Sequence, residues 1–316
     1  MKIALIKRWK DMAFGNSAFN VKQGVGQIYS KGQIKGYYND LTNKVLSNNT
    51  ILDKNGIPTN KTIANVQAYF PITIFQYGLG LYDLFLKEND EKYKKEFLKI
   101  VGWTIDNQKE NGMWNCMETL KDSIHDTQSS MCQGEAVSLL LRAYKTTGNE
   151  QYLISATKAI DFMIKDIKDG GTAYINKNEI IFQEYVSKDN LSVLNGWIFS
   201  IFGLYDYTLV NKEKKYNEIL EKTLQTLIIK LKEYDRGYWS NYDLKGTITS
   251  PAYHNLHIQQ LNILYELFGK EEFRDYAEKW KKYGNSKINL LRAVIIKLKQ
   301  KLIKNNFYDI NTSLVE

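Results

Sequence analysis

The sequence predicts an all-α fold, an α/α barrel (toroid) of about four helical hairpins, and three observations predict it. From about residue 71 the dominant periodicity is helical. The helical segments come in pairs, joined by breaks as short as "KTTGN" and "FGK", which return the chain antiparallel to itself. Within each pair one helix is more apolar and the other more charged, as in "VLNGWIFSIFGLYDY" against "EKKYNEILEKTLQTLIIK". A helix apolar all round is buried and one with a charged face lies outside. An inner ring of helices wrapped by an outer ring satisfies both.

The elements follow in order. Residues 1–70 read as an N-terminal arm, because "GQIYSKGQIKGYYNDLT" mixes Gly and Tyr with alternating polar residues that suit a short β-hairpin or an extended strand. An arm this thin packs on a barrel rather than folding alone. The barrel is expected over 71–284. "PITIFQYGLGLYDLFL" opens it with proline at a first helical position, and the amphipathic "EKYKKEFLKIVGWTIDNQ" follows. "SSMCQGEAVSLLLRAYKTTGN" ends at Gly148, a carboxyl-terminal cap. "EQYLISATKAIDFMIKDI" then runs to near Gly170 and Gly171. "SVLNGWIFSIFGLYDYTLV", "EKKYNEILEKTLQTLIIKLKEY", "HNLHIQQLNILYELFG" and "EEFRDYAEKWKKY" complete the set. Residues 285–316 begin with a basic amphipathic C-terminal helix. Leu291, Val294, Ile295, Leu298 and Leu302 share one side, and Lys297, Lys301 and Lys304 lie largely elsewhere. The expectation is that it docks on the barrel and shows its lysines to water. Peripheral contact with an anionic membrane surface and a homodimer are the further associations considered.

Composition narrows the partners. A net charge of +8, half of it supplied by the six basic and two acidic residues from Lys287 to Glu316, suits an anionic partner. No basic-aromatic module supports nucleic acid. The amino-terminal "IALI" is too short for a signal-peptide core, and no apolar run approaches the roughly 18 residues of a membrane span. Cys116 and Cys132 fit a reducing compartment and need not pair. A soluble, cytoplasmic protein is expected.

In such a barrel the loops entering the inner helices surround one cleft. "QEYVSKDNL", "YWSNYDLKGTITSPAYH" and "MWNCMETLKDSIHDTQ" therefore share a rim. His254 and His257 stand i, i+3 on one helix face, but a pair lacks the third ligand that even a catalytic metal site needs, and only His125 or nearby carboxylates could supply it. "HNLH" also departs from the H-E-x-x-H spacing. No metal and no cofactor are expected. Tyr253, Tyr242 with Lys245, and Glu184 with Tyr185 bring tyrosines beside acidic and basic partners. That combination suits proton transfer if the tyrosine pKa values fall from about 10. The chain has 22 tyrosines, however, and most serve packing.

Five segments together go further: "YFPITIFQYGLGLYD", "GWTIDNQKENGMW", "SSMCQGEAVSLLLRAY", "EYVSKDNLSVLNGWIFSIFGLYDY" and "YDRGYWSNYDLKG…YHNLHIQQLNIL". In this order, over roughly residues 69 to 265, they resemble the carboxyl-terminal catalytic region of the D-glucuronyl C5-epimerases. The resemblance implies an α/α barrel and an enzyme that inverts C5 of glucuronic acid residues, giving iduronic acid, within an acidic polysaccharide such as heparosan. It places the family's Glu-Tyr pair on Glu184 and Tyr185, its Tyr-Asp-Leu tyrosine on Tyr242, and the tyrosine ahead of its first histidine on Tyr253. Lys245 stands where the family has arginine, so a bidentate clamp on a carboxylate becomes a single-point contact. The large β-rich insertion of animal members is absent after the "QYGL" helix, and no acidic cluster here carries over their reported calcium.

Epimerisation removes a proton α to a carboxylate and returns one from the opposite face, so two proton carriers are needed. Tyr253 and Tyr185 are the expected pair, with Glu184 acting as base directly or through Tyr185. Lys245, His254 and Asn195 are the candidates for holding the carboxylate as it gains charge, and His257, Tyr77 and Gln133 complete the expected substrate contacts. Asn195, Trp197 and Gln133 also have a purely structural reading at the ends of apolar runs, and Trp114 reads as packing. Two alternatives stay open: a uronate polysaccharide lyase on the same barrel, and a non-catalytic acidic-glycan-binding protein.

Overall fold

The computed structural model describes residues 21–61, 67–116, 128–186 and 191–307, with the side chains of Lys61 and of residues 301–307 left out. The amino-terminal "MKIALIKRWKDMAFG", the rim residues 117–127 with His125, and the side chains of Lys301, Leu302 and Lys304 lie outside that set.

The arm is more irregular than a hairpin. Isolated bridges pair Val25 with Asn39 and Ser30 with Gln33. A one-turn helix α1 (Thr42–Leu46) follows, then an antiparallel sheet of β1 (Ile51–Leu52), β2 (Pro58–Lys61) and β3 (Gln67–Ala68). Eight long helices come next as four hairpins: α2 (Pro71–Glu88) with α3 (Glu91–Asp106), α4 (Ser130–Thr147) with α5 (Glu150–Met163), α6 (Leu194–Val210) with α7 (Lys214–Lys230), and α8 (Pro251–Phe268) with α9 (Glu271–Asn285). Three of the links turn on left-handed residues, Asn89, Gly148 and Gly269. The helical pattern expected to reach Gly170 stops at Met163. A hairpin of β4 (Ala173–Ile175) and β5 (Ile180–Phe182) then leads to α6.

The even-numbered helices form the inner layer, α2 against α4, α4 against α6 and α6 against α8, and each odd-numbered helix lies outside its partner. Burial follows the sequence pattern. Every residue of α2 from Pro71 to Leu84 is buried, as is every residue of α4 from Ser130 to Ala143. In α3 only Phe97, Ile100, Val101 and Thr104 are buried, the i, i+3, i+4, i+7 stripe of an outer helix. The tightest crossing joins α4 to α6, where a Cβ on Gly203 would come within 2.3 Å of the Gly134 carbonyl oxygen. Only glycines permit that approach.

One end of the barrel is sealed by the arm. The thirteenth residues of α2, α4 and α6 are Asp83, Arg142 and Asp206, all buried. Arg142 pairs with Asp206 at 2.6 Å and donates to the Gly36 carbonyl at 3.0 Å. Tyr38 donates its hydroxyl to Asp206 at 2.5 Å, and the Tyr37 amide donates to Asp83 at 2.8 Å. Tyr29 reaches Glu266 of α8. The arm thus crosses the carboxyl-terminal halves of all four inner helices and leaves their amino-terminal ends to the rim loops.

Two expectations change here. Cys116 and Cys132 form a disulfide, which removes the ground on which a reducing compartment was inferred. The last helix, α10 (Lys287–Phe307), docks, but not by its predicted apolar side. Leu290, Ala293 and Ile296 pack on Trp239 and Ile248. Gln300 accepts from the Ile248 amide at 3.0 Å and donates to the Gly246 carbonyl at 3.1 Å. Leu291, Ile295 and Leu298 face outward. The docking surface selects the face that can reach a loop's polar backbone, and a hydrophobic count along the helix does not encode that. Among the described residues no helix is long and apolar enough to cross a membrane.

Candidate active site

The opposite end gathers the amino termini of α4, α6 and α8 with the segments leading into them. Gln183 fixes the first segment. Its side chain donates to Ser192 Oγ at 2.9 Å and accepts from the Ser192 amide at 3.0 Å, while its carbonyl accepts from the Ser130 amide at 3.0 Å. Glu184 and Tyr185 follow directly. The segment entering α6 is then tied to the tyrosine loop: the Leu194 amide donates to the Tyr242 carbonyl and the Leu244 amide to the Leu191 carbonyl, both at 3.0 Å. Past Tyr242, the Asp243 carboxylate accepts from the amides of Lys245 and Thr247, each at 3.0 Å, and holds the turn. Ser250 caps α8 through the Tyr253 amide, and Pro251 sets the first turn. The rings of Tyr253 and Tyr242 meet edge to face with centroids 5.2 Å apart.

Glu184, Tyr185, Tyr242 and Tyr253 thus form one cluster. Burial pushes the Glu184 carboxyl up to about 7, against the pull of its hydrogen bond with Tyr185. Its Oε2 is buried without a protein hydrogen bond. Any Cβ at position 196 would lie 2.4 Å from the Glu184 side chain, so α6 reaches the carboxyl through Gly196. Tyr185 and Tyr242 move opposite to expectation. Burial first, and the Glu184 charge second, hold both phenols well above the ordinary tyrosine value. Before substrate binds they keep their protons and are donors rather than bases.

A second buried carboxyl lies deeper, and the sequence reading missed it. Glu135 of α4 accepts from Gln76 of α2 at 2.8 Å, and its Oε2 has no protein hydrogen bond. Burial raises it to about 8, with Glu184 adding to the rise and Lys44 of α1 opposing it. Lys44 is itself buried and drawn down to about 8. The signal was a charge inside an otherwise apolar helix, in "MCQGEAVSLLL". Because the folded protein holds the Glu135 proton more tightly than the unfolded chain, this contribution to stability is full below about pH 4.5 and is lost as pH rises through about 8. Glu135→Gln is expected to flatten the fall in unfolding free energy between about pH 4.5 and 8, by up to about 5 kcal/mol. Chemical denaturation across that range measures it. An unaltered slope would assign the pH dependence elsewhere.

The remaining candidates divide. Asn195, buried in the first turn of α6, accepts at its carbonyl from Gln260 at 3.2 Å and keeps Oδ1 without a protein partner. Gln133 donates to the Ser129 carbonyl at 3.3 Å, and its Oε1 is likewise buried without one. Lys245 stands exposed on the turn after Tyr242. Tyr77 is buried in α2, and burial first, then Glu96 and Tyr93 of α3, hold its phenol above the ordinary value.

The histidines are buried among aromatic rings, and His257 keeps Nε2 without a protein hydrogen bond. His254 stacks on Trp239 with ring centroids 3.8 Å apart, and its Nδ1 and Nε2 meet Ser240 Oγ at 2.8 Å and the Trp280 carbonyl at 3.0 Å. Both nitrogens are spent on the fold. Burial lowers His254 to about 4 and His257 to about 3, so both are neutral at physiological pH and cannot hold a carboxylate by charge. His257 is fully buried with Nδ1 at 3.4 Å from the same Ser240. Among the described residues no group of three His, Cys, Asp or Glu is placed to hold a metal ion. Trp197 donates to Thr223 at 2.8 Å and Trp114 to the Thr104 carbonyl at 2.8 Å, and both are core.

Comparison with known proteins agrees with the resemblance. Residues 107–282 match the family described as D-glucuronyl C5-epimerase C-terminus. A D-glucuronyl C5-epimerase from Caenorhabditis elegans is 28% identical over 229 residues, 64% of this chain and 37% of that protein. An uncharacterized protein from Methanocaldococcus jannaschii is 31% identical over 158 residues, 49% of this chain and 51% of that protein. The chain thus spans between about a third and a half of the length of these relatives. A solved structure from Listeria innocua superposes with a TM-score of 0.51 at 10% identity, covering 75% of this chain and 74% of that one, a likeness of fold.

Proposed function

We propose, from the premise that this chain belongs to the D-glucuronyl C5-epimerase C-terminus family, that it inverts C5 of glucuronic acid residues within an acidic polysaccharide such as heparosan. The observation that carries this reading is the buried Glu184 carboxyl, poised near neutrality and hydrogen-bonded to Tyr185, with Tyr242 and Tyr253 packed against each other in the same cluster.

The chemistry follows from the proton inventory. C5 lies α to the uronate carboxylate, so its proton leaves as negative charge builds on that group. Tyr185 is too weak an acid to stand as a free phenolate, because burial and Glu184 both oppose its ionisation. It can accept the C5 proton if its own proton passes at the same moment to Glu184, whose ionised form is the net base. Tyr253 then donates its hydroxyl proton to C5 from the opposite face. The cycle leaves Glu184 protonated and Tyr253 ionised, and exchange with water restores both. Charge on the uronate is met by Lys245 on its turn and by the positive ends of α4, α6 and α8, all directed at this end of the barrel. A single lysine contact orients a carboxylate less firmly than a bidentate arginine, which suits a site that tolerates more than one uronate setting.

The deciding experiment is incubation with heparosan in deuterium oxide. Label at C5 together with iduronate is the expected result, and the rate of incorporation should rise with pH through about 7 as Glu184 ionises. Absorbance from an unsaturated uronate would identify a lyase instead, and binding without label would identify a glycan-binding protein.

A further inference from the structure

We propose that the outward face of α10 docks on a bilayer surface rich in anionic lipid headgroups. Ile288, Leu291, Ile295 and Leu298 stand on this face with exposures from 79% at Ile288 to 40% at Leu298. At 3.6 residues per turn they fall within about 80° of arc, opposite the side that Leu290, Ala293 and Ile296 press against Trp239 and Ile248. The helix therefore has two apolar faces, of which the described residues cover one. A row of four exposed aliphatic side chains on a fixed helix is a surface built for contact.

Charge selects the occupant. Lys281, Lys282, Lys287, Arg292, Lys297 and Lys299 lie between residues 281 and 300, and no acidic residue does. On the helical wheel Lys287 flanks the apolar row on one side, and Arg292 and Lys299 flank it on the other. Arg292 also covers the Tyr238 ring at 3.8 Å, so its charge is held beside the row rather than swung away. An apolar stripe between basic margins matches the acyl boundary and headgroup layer of an anionic membrane. A polyanion such as a polysaccharide would use the lysines and leave the four aliphatic side chains in water. A second copy would bring like charge against like charge. The opposite face of the helix carries Gln300 on Gly246 and Ile248, in the loop between Tyr242 and Tyr253, so docking would seat the helix from behind that loop.

Sedimentation of the full chain with vesicles tests the proposal. Binding to phosphatidylcholine vesicles containing phosphatidylglycerol should be at least tenfold tighter than to phosphatidylcholine alone. Leu291→Ser with Ile295→Ser should weaken it at least tenfold, and Lys287→Glu with Lys299→Glu should do the same, since each basic residue near an anionic surface contributes about fivefold. Both pairs are exposed, so unfolding midpoints should match the parent. Absence of vesicle binding would overturn the proposal. So would binding lost only in the lysine pair, which would make the contact purely electrostatic. A parent dimer that Leu291→Ser with Ile295→Ser converts to monomer, with no vesicle binding, would identify a second copy as the occupant.

Discussion

Turnover by the Tyr253→Phe protein is expected to fall by about 10² to 10⁴, the usual contribution of a positioned acid or base. Phenylalanine keeps the ring that meets Tyr242 edge to face at 5.2 Å and removes only the hydroxyl. Stability and substrate affinity should therefore change little, and the loss should appear in kcat rather than in KM. Exchange at C5 separates the half-reactions. If Tyr185 with Glu184 still removes the proton from one face, the variant should retain washout of label from C5-labelled glucuronate while forming little iduronate. A folded variant that converts substrate at the parent rate would refute the role of Tyr253. Lost stability with unchanged specific activity would make the residue structural.

The second large effect concerns the sealed end. Arg142→Ala is expected to cost about 3–5 kcal/mol of unfolding free energy, because it strands the Asp206 carboxylate in a site from which water is excluded. The Gly36 carbonyl loses its donor in the same step. The loss belongs to the unpaired partner more than to the pair. Replacing both residues with apolar ones of similar bulk, Arg142→Met with Asp206→Leu, should recover most of it. Denaturant unfolding of the parent, the single variant and the double variant measures this. A single variant within about 1 kcal/mol of the parent would show that water or a neighbour compensates the charge.

The barrel was legible because its determinants are local. Hairpin spacing, the Gly148 and Gly269 caps, Pro71 and Pro251 at first turns, and the contrast between apolar and half-charged helices all act within a few residues of themselves. The cluster of Glu184, Tyr185, Tyr242 and Tyr253 was legible through motif order, which carries information that periodicity lacks. What stayed hidden depends on distant partners. His254 and His257 could be placed on a helix, but not His254 between Trp239 of the preceding loop and Trp280 of α9, nor His257 against Trp280. Tyr77 lies on a helix buried all round, where periodicity cannot say which neighbour it faces. Glu135 gave a signal, a carboxyl in an apolar run, whose meaning waited on Gln76 and Lys44. For α10, two apolar faces on one helix defeat any rule that assigns a single inside.

The seal at the far end has a consequence for how the molecule is made. The arm precedes the barrel in the chain and emerges before it during synthesis, yet its anchors come late: Arg142 lies 106 residues beyond Gly36, Asp206 lies 168 beyond Tyr38, and Glu266 lies 237 beyond Tyr29. Hairpins join neighbours in sequence and can form as they leave the ribosome, whereas the arm's bonds are the long-range contacts that slow folding. A nascent chain would hold its first finished hairpins while Tyr38 still waited for Asp206 and Tyr29 for Glu266. Closure would come as a final, concerted event, and the arm would act as a latch that shuts only on a complete set of inner helices.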